Sequence, residues 1–501
     1  MAHDIRRGPR RHLTALLLGC TALIASPALA QDPAPPDSGA GTEESPYRLS
    51  PIIINASGPF DDDANTIVAS ELWVGGKVAT SILDTPASVS VITEKEMRDR
   101  RATTLEEVLS YSAGIHTDYW GTDDRNDYVL VRGFQATSYR DGLTLGSMRG
   151  VREDPFIYER VEVIRGGNST LFGTADPGGT INFVTKTPKF ERIADTSLSY
   201  DSNNTATLGL DFGNALNTEQ TLAWRFAAKV QDGEREYSPS KDDAQIYIGG
   251  LTWEPDDATR LSVVVDYLNR DASPNSGGYP KDREYDRADF FGVADYNYQD
   301  VERSSITGLF SHDFGGGLRL SANLRYSDLK DNYGYIYLND SVDRVGTVVG
   351  RSYIQSEGTA KELIGNVILQ YDARFGRFDS STLAGLEFRD AETTTLSAFD
   401  ADAGTIDLSN LDLGGAPTNL SYYNDSSAEY TTKSVFLQQN LAFDDRIVAT
   451  IGLRQDWLDL SETNKLSGTP IETSDDFSES SVRGALTWPD PIGWSGFNLS
   501  S

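Results

Sequence analysis

Tyr119, Trp120 and Arg125 fall in one polar excursion together with Gly121, Asp123 and Asp124, and Tyr139, Met148 and Arg149 fall near a second. Ring faces and guanidinium donors of this kind fit a rigid organic ligand. Two adjacent large rings on a solvent-facing loop leave apolar area that a ligand or neighbouring loops must cover. The chain offers no reactive set beside them. Beyond the first 30 residues its histidines are His116 and His312, and its one cysteine, Cys20, lies within them. No Ser/His/Asp set, zinc-ligand spacing or phosphate-cradling glycine loop is present, which excludes the common hydrolase, zinc and nucleotide chemistries. His116 follows a helix end and reads as structural, with haem ligation the alternative.

The excursions need a scaffold, and residues 82–188 read as one small α/β domain. Thr85–Ile92 is a strand behind a proline. Thr93 with Glu96 three residues on forms a capping-box pattern. Thr103 or Thr104 caps a second helix, Leu105–Ser112, ended by Gly114. Asp127–Arg132 is the next strand, and Asp154-Pro155 starts a short helix. The organising stretch is Arg160–Pro188. It opens as a strand, breaks at Gly166-Gly167, and turns at Asp176-Pro177-Gly178-Gly179, where proline fixes one φ and glycine supplies the positive φ that follows. Thr180–Lys186 then runs as a β-rich strand that Pro188 closes.

Three pieces of that stretch, Glu162-Val163-Ile164-Arg165-Gly166, Leu171-Phe172-Gly173 and Pro177-Gly178-Gly179-Thr180-Ile181-Asn182, resemble the end of the plug domain of TonB-dependent outer-membrane receptors. Arg132-Gly133-Phe134 and Tyr139-Arg140-Asp141-Gly142 match the same plug pattern. The branch most resembled is the ferric-siderophore receptors, which usually carry proline where this chain has Gly167. The resemblance implies a membrane β-barrel enclosing an α/β plug, and an active transporter rather than an enzyme. It implies that Tyr119, Trp120, Arg125, Tyr139, Met148 and Arg149 touch the siderophore. The iron(III) complex brings its own metal ligands, so no permanently bound cofactor is expected. Arg132 and Arg165 are implied to pair with barrel glutamates and lock the plug, the alternative being pairs within the plug to Glu159 or Glu162. Ile52, Ile53, Ile54, Asn55 and Ala56, an apolar run in a polar tail, stand where the family's TonB box lies, the segment gripped by the energising protein TonB. A first plug strand is the other reading of that run, and Thr66–Ala69 is a second candidate for the box.

The 501 residues exceed one ordinary compact core, and their mean hydropathy is −0.40. Met1–Ala30 reads as a secretory signal peptide, with Arg6, Arg7, Arg10 and Arg11 before an apolar run and Ala28-Leu29-Ala30 at the cleavage site. A lipoprotein site at Cys20 is the alternative. Residues 31–81 read as a disordered periplasmic leader carrying the Ile52–Ala56 run. The chain's net charge is −31, and removing a leader of net +3 leaves about −34. That excess argues against a nucleic-acid partner, which needs basic surface. Solvated acidic loops account for it, as would loops that bridge divalent cations to lipopolysaccharide.

After Pro188 the texture becomes period-two alternation. Leu222, Trp224, Phe226, Ala228 and Val230 alternate with Ala223, Arg225, Ala227 and Lys229; Leu318–Tyr326 and Val367–Phe375 repeat the pattern. Such strands suit a transmembrane barrel, and equally a soluble sandwich that turns its apolar face inward. Short connections near Asn214–Glu219, Glu254–Ala258, Gly315–Gly317, Gly376–Asp379 and Asp444–Arg446 alternate with long ones near Asp271–Asp300, Asn332–Ala360 and Asp400–Tyr430. Trp253, Phe314, Phe375 and Phe443 sit at the short-turn ends, as an interfacial girdle should. Residues 189–501 hold about 12 strands, against about 22 expected for the resembled barrel, so an N-terminal portion is expected. The function expected is import of a ferric siderophore across the outer membrane, energised through TonB. The rivals are another cargo such as haem, cobalamin or a saccharide, a passive porin, and a non-functional fragment.

Overall fold

The computed structural model describes residues 63–487, apart from 74–76, 79, 83–84, 86, 121–124, 149, 174, 276–279, 282–285, 287, 401–402, 411–414 and 445–446, together with 499–500. The signal-peptide reading, residues 31–62 of the leader with Ile52–Ala56, and Arg149 lie outside the described residues. The part of the expected disordered leader that is described, within 63–81, is folded instead, with Glu71–Leu72 paired antiparallel to Thr80–Ser81 and Asp63, Leu72, Lys77 and Val78 buried.

The plug is built on a five-stranded sheet in the order Ser88–Thr93, Tyr158–Arg165, Gly179–Thr185, Thr137–Arg140, Leu143–Thr144. Tyr158–Arg165 runs antiparallel to both its neighbours and all eight of its residues are buried. Gly179–Thr185 pairs parallel with Thr137–Arg140. The glycines of the tight turn are needed for contact: a Cβ on Gly178 would stand 2.1 Å from the Val131 carbonyl, and one on Gly179 2.4 Å from that of Ile164. Thr93 caps the helix Glu94–Arg100 by accepting from the Glu96 N–H. Thr104 caps Leu105–Leu109, while Glu107 reaches back to the Thr103 N–H at 2.7 Å. This second helix is shorter than the expected Leu105–Ser112, and Gly114, at φ +71°, follows the turn after it. The expected helix at Asp154-Pro155 is a single 3-10 turn, Pro155–Ile157.

Around the plug runs an antiparallel sheet of thirteen strands in chain order, from Ile193–Tyr200 to Leu499–Ser500, with the short strand Thr405–Asp407 paired to its side. Its outer face is the apolar one. Phe226, Val265, Leu324 and Val367 are exposed, while their neighbours Arg225, Asp266 and Arg325 are buried against the plug. A soluble sandwich would show the reverse, so the period-two segments belong to a lipid-facing barrel wall. Two apolar clusters join plug to wall. Val161, Val163, Ile181 and Phe183 meet Ala227, Ile248, Val264 and Leu268. Leu72, Val78, Ile164 and Phe172 meet Ile368, Leu383 and Phe436.

Of the long connections, Asp271–Asp300 stands nearly as expected, between Thr259–Ala272 and Tyr298–Gly315, while Asn332–Ala360 and Asp400–Tyr430 come out shorter. Leu318–Asn339, Val348–Phe375 and Phe378–Asp400 hold 22, 28 and 23 residues, where about 9–11 cross a bilayer. Most of the supposed loop Asn332–Ala360 is therefore strand, and only residues 340–347 connect its two sides. Glycine, asparagine and aspartate in that stretch signal turns, but Tyr333, Tyr335 and Tyr337 keep the period of two and the ladder continues through them.

Candidate functional site

The first excursion rises from the short strand Ile115–Thr117. Tyr119 packs on Trp120 with ring centroids 5.7 Å apart and edge-on to Tyr128 at 5.6 Å, while Trp120 remains 64% exposed. Arg125 lies over two barrel rings, 4.2 Å from the Tyr335 centroid and 5.2 Å from that of Tyr333. Tyr337 and Phe399 continue this ladder of inward-facing rings at 6.4 Å steps. Gln299 ties the two excursions to the wall, donating to the Arg125 carbonyl at 3.0 Å and the Gly150 carbonyl at 3.3 Å. Gly150 is required there: at φ +91°, a Cβ would fall 2.0 Å from the Asp331 carboxylate. Asp127, at the root of the first excursion, accepts from the Glu153 N–H at 2.7 Å. Burial, reinforced by the charge of Glu106, pushes its carboxyl well above the usual range. The structure therefore brings Tyr119, Trp120 and Arg125 together and adds Tyr333, Tyr335, Tyr337 and Phe399. The sequence signal for the tyrosines was present, as three of them alternate in a stretch that reads as loop.

Tyr139 and Met148 do not join that group. Both are buried in the plug. The Tyr139 hydroxyl donates to the Phe172 carbonyl at 2.9 Å, its ring meets Phe172 edge-on at 4.7 Å, and burial raises its phenol pKa. Strand Thr137–Arg140 alternates, and this residue falls on the core side. Ser147 of the second excursion also reaches the wall, where it donates to Glu362 at 2.6 Å and touches Tyr430 and Arg389.

Arg132 and Arg165 pair with no barrel carboxylate among the described residues. Arg132 is exposed at φ +52°. Arg165 donates to the Ala113 carbonyl at 2.6 Å and to Ser90 Oγ at 2.8 Å; burial, then the charge of Arg132, lower its pKa. Nor does Glu159 or Glu162 take them up. Glu159 pairs with Arg225 at 3.0 Å, and Glu162 accepts from the Trp73 N–H and from Asn182.

Other charges join plug to wall. Arg140 meets Asp266 through two hydrogen bonds of 3.0 and 2.8 Å, with both side chains 1% exposed. Glu153 meets Arg303 at 3.0 Å, Asp154 meets Lys229 at 2.7 Å, and Lys186 meets Asp211 at 2.9 Å. Lys77 pairs with Glu387, which Arg454 also holds at 2.9 Å. Removing one partner of such a pair strands a buried charge, at about 3–5 kcal/mol. Several of the cations come from the wall, on the polar faces of its alternating strands. Among the described residues, no group of three His, Cys, Asp or Glu side chains is placed to hold a metal ion.

Comparison with known proteins places this architecture. The TonB-dependent receptor plug domain model matches residues 81–180, and the TonB-dependent receptor-like β-barrel model matches residues 250–497. The chain is 26% identical over 440 residues to the ferrioxamine B receptor of Salmonella typhimurium, covering 84% of this chain and 62% of that protein. It is 25% identical over 452 residues to the ferrichrome outer membrane transporter/phage receptor of Escherichia coli, covering 82% and 60%. The crystal structure of the siderophore receptor PiuA from Acinetobacter baumannii aligns with a TM-score of 0.75 at 20% identity, over 85% of this chain and 65% of that one, a likeness of fold. The chain thus spans about three-fifths of the length of these curated relatives. Plug and barrel wall both match models of a single family, and the chain belongs to the TonB-dependent receptors.

Proposed function

We propose that the protein is an outer-membrane active transporter that binds a ferric siderophore in the vestibule above the plug and imports it with energy delivered through TonB. The observation that carries this reading is the stack of Arg125 on Tyr333 and Tyr335 beside the exposed Trp120. Ring faces and a guanidinium are what a chelate's organic shell requires, and the iron needs no protein ligand. Two relatives named for ferrioxamine B and ferrichrome support the same cargo class. Below the vestibule the plug is joined to the wall by buried ion pairs, so passage calls for work on the plug. In this reading Ile52–Ala56 is the segment TonB grips, a signal peptide directs export, and the apolar outer face meets membrane lipid and lipopolysaccharide.

The test is uptake of radio-iron as ferrioxamine B and as ferrichrome by cells expressing the full-length receptor, with and without a proton uncoupler. Energised uptake that the uncoupler abolishes is expected. Uptake that survives it would mark a passive pore, and absence of both uptake and binding would remove siderophores from consideration.

A further inference from the structure

We propose that Gln299 is a positioning residue for ligand binding: from the barrel wall it holds both plug excursions by their main chains and keeps the binding surface assembled before a ligand arrives. This rests on the siderophore reading above and adds to it a residue that does not meet the ligand.

Gln299 stands near the start of the wall strand Tyr298–Gly315 and lies on its plug-facing side, in a row with Val301, which joins the apolar core of the plug, and Arg303, which meets Glu153. At 3% exposure it is out of a ligand's reach. Its side-chain nitrogen donates to the Arg125 carbonyl at 3.0 Å and to the Gly150 carbonyl at 3.3 Å. Those carbonyls belong to different excursions, so one planar amide sets the distance between them. Its cross-strand partner is Tyr333, whose ring lies under the Arg125 guanidinium. Facing residues of two adjacent strands thus grip Arg125 at both ends, the amide at its carbonyl and the ring at its side chain. On the other excursion Gly150, with no Cβ to strike Asp331, lets the main chain lie against the wall.

The strand end that carries Gln299 is itself fixed. Asn297, also 3% exposed, accepts from the Val293 N–H at 3.0 Å and the Ile336 N–H at 3.3 Å, and donates to the Pro274 carbonyl at 3.0 Å. The Tyr296 hydroxyl donates to the Ile354 carbonyl at 2.8 Å. Asn297 and Gln299, two residues apart, therefore join the outer connection, the neighbouring wall strand and both excursions through buried amides. An excursion that must be ordered on binding weakens affinity by the entropy of ordering, and one already held does not.

The test is equilibrium titration of the purified full-length receptor with ferrichrome and with ferrioxamine B, by fluorescence quenching. The parent is compared with Gln299→Met, which keeps the length of the side chain and lacks its N–H groups. Losing two hydrogen bonds of ordinary strength corresponds to about a tenfold change. Gln299→Met should therefore weaken both probes by about that factor, with assembled receptor in outer membranes unchanged. A loss from general damage to the fold would add to that of Trp120→Ala, whereas a loss through the excursion should be smaller once Trp120 is gone. Hydrogen exchange on the parent needs no variant: peptides covering 118–128 and 144–152 should exchange slowly before ferrichrome is added and little more slowly after. Equal affinity in Gln299→Met and the parent, additive losses with Trp120→Ala, or excursions that exchange fast until ferrichrome slows them would each overturn the role of Gln299 while leaving the siderophore reading intact. Binding of neither probe by the parent would overturn both.

Discussion

Trp120 and Arg125 sit five residues apart in the sequence, yet the fold treats them oppositely. Arg125 is fixed over two rings of the wall and its carbonyl is held by Gln299, whereas Trp120 presents most of its ring to solvent. A fixed cation beside an exposed aromatic would suit a flat or rounded organic ligand, as proposed above. Covering one such ring is worth about 1.5–3 kcal/mol. The double change Tyr119→Ala, Trp120→Ala should therefore weaken ferrioxamine B or ferrichrome binding by at least about tenfold, with membrane abundance unchanged. Equal affinity in a titration would show that the rings serve packing only. Glu153 makes a different argument at the same scale. Burial pushes its carboxyl up, but the Arg303 guanidinium opposite and its hydrogen bonds prevail and hold it below the usual Glu range. A depressed folded-state value means that the pair's stabilisation is fully present above the unfolded value of about 4.3 and is lost as pH falls through the folded one. Thermal melts of the intact receptor should weaken as pH is lowered below that point, and Glu153→Gln should flatten that part of the profile while lowering stability at neutral pH. A profile identical to the parent's would show that another acid controls the decline.

At the scale of elements, local chemistry in the sequence was enough to draw the plug but not to dock it. The capping threonines and the Pro-Gly-Gly turn are local devices, and Thr93, Thr104 and Gly178-Gly179 do what their spacing implies. Docking depends on partners between 25 and more than 300 residues away in the sequence, as Lys186 on Asp211 and Lys77 on Glu387 show, and no spacing rule reaches that far. Arg132 and Arg165 drew attention because they sit on plug motifs, whereas Arg140, in another of the plug motifs, carries the buried pair with Asp266. Tyr139 was misplaced for a related reason: a residue beside a functional excursion can still fall on the core side of its strand. The energy-coupling element follows its own logic. Strand addition by Ile52–Ala56 onto a partner's sheet edge would use backbone donors, and proline removes one. Ile53→Pro in the full-length receptor should abolish uptake while leaving equilibrium binding intact. Normal transport by that variant would place the coupling segment elsewhere, with Thr66–Ala69 the next stretch to examine. In that stretch Ile67 and Val68 are exposed, but the Thr66 carbonyl accepts from Thr93 Oγ on the plug.

At the scale of the whole molecule, the sheet is inside-out relative to a water-soluble protein, and this decides what its residues tolerate. Alternation in the sequence showed two faces but could not say which one met lipid; the burial of Arg225 and Arg325 beside exposed Phe226 and Leu324 does. The cost of a charge on the outer face should then depend on depth rather than on exposure. Val265 lies in the outward row with Val263, midway along Thr259–Ala272, and is 53% exposed. Leu216 is equally exposed at 53%, but lies in the connection after Ala206–Ala215. For a soluble protein, arginine at either position would be nearly neutral. For a bilayer-embedded wall, arginine near the midplane costs about 2–4 kcal/mol and near the interface about 0–1. Val265→Arg should therefore reduce the heat-resistant, assembled receptor in outer membranes well below that of Leu216→Arg, as read by gel mobility without boiling. Asp266 next along the strand already points inward to Arg140, so the added charge has no lumenal route of escape. If the two variants accumulated equally, the exposed row through Val263 and Val265 would not face lipid, and the inside-out reading of the sheet would fail at that strand.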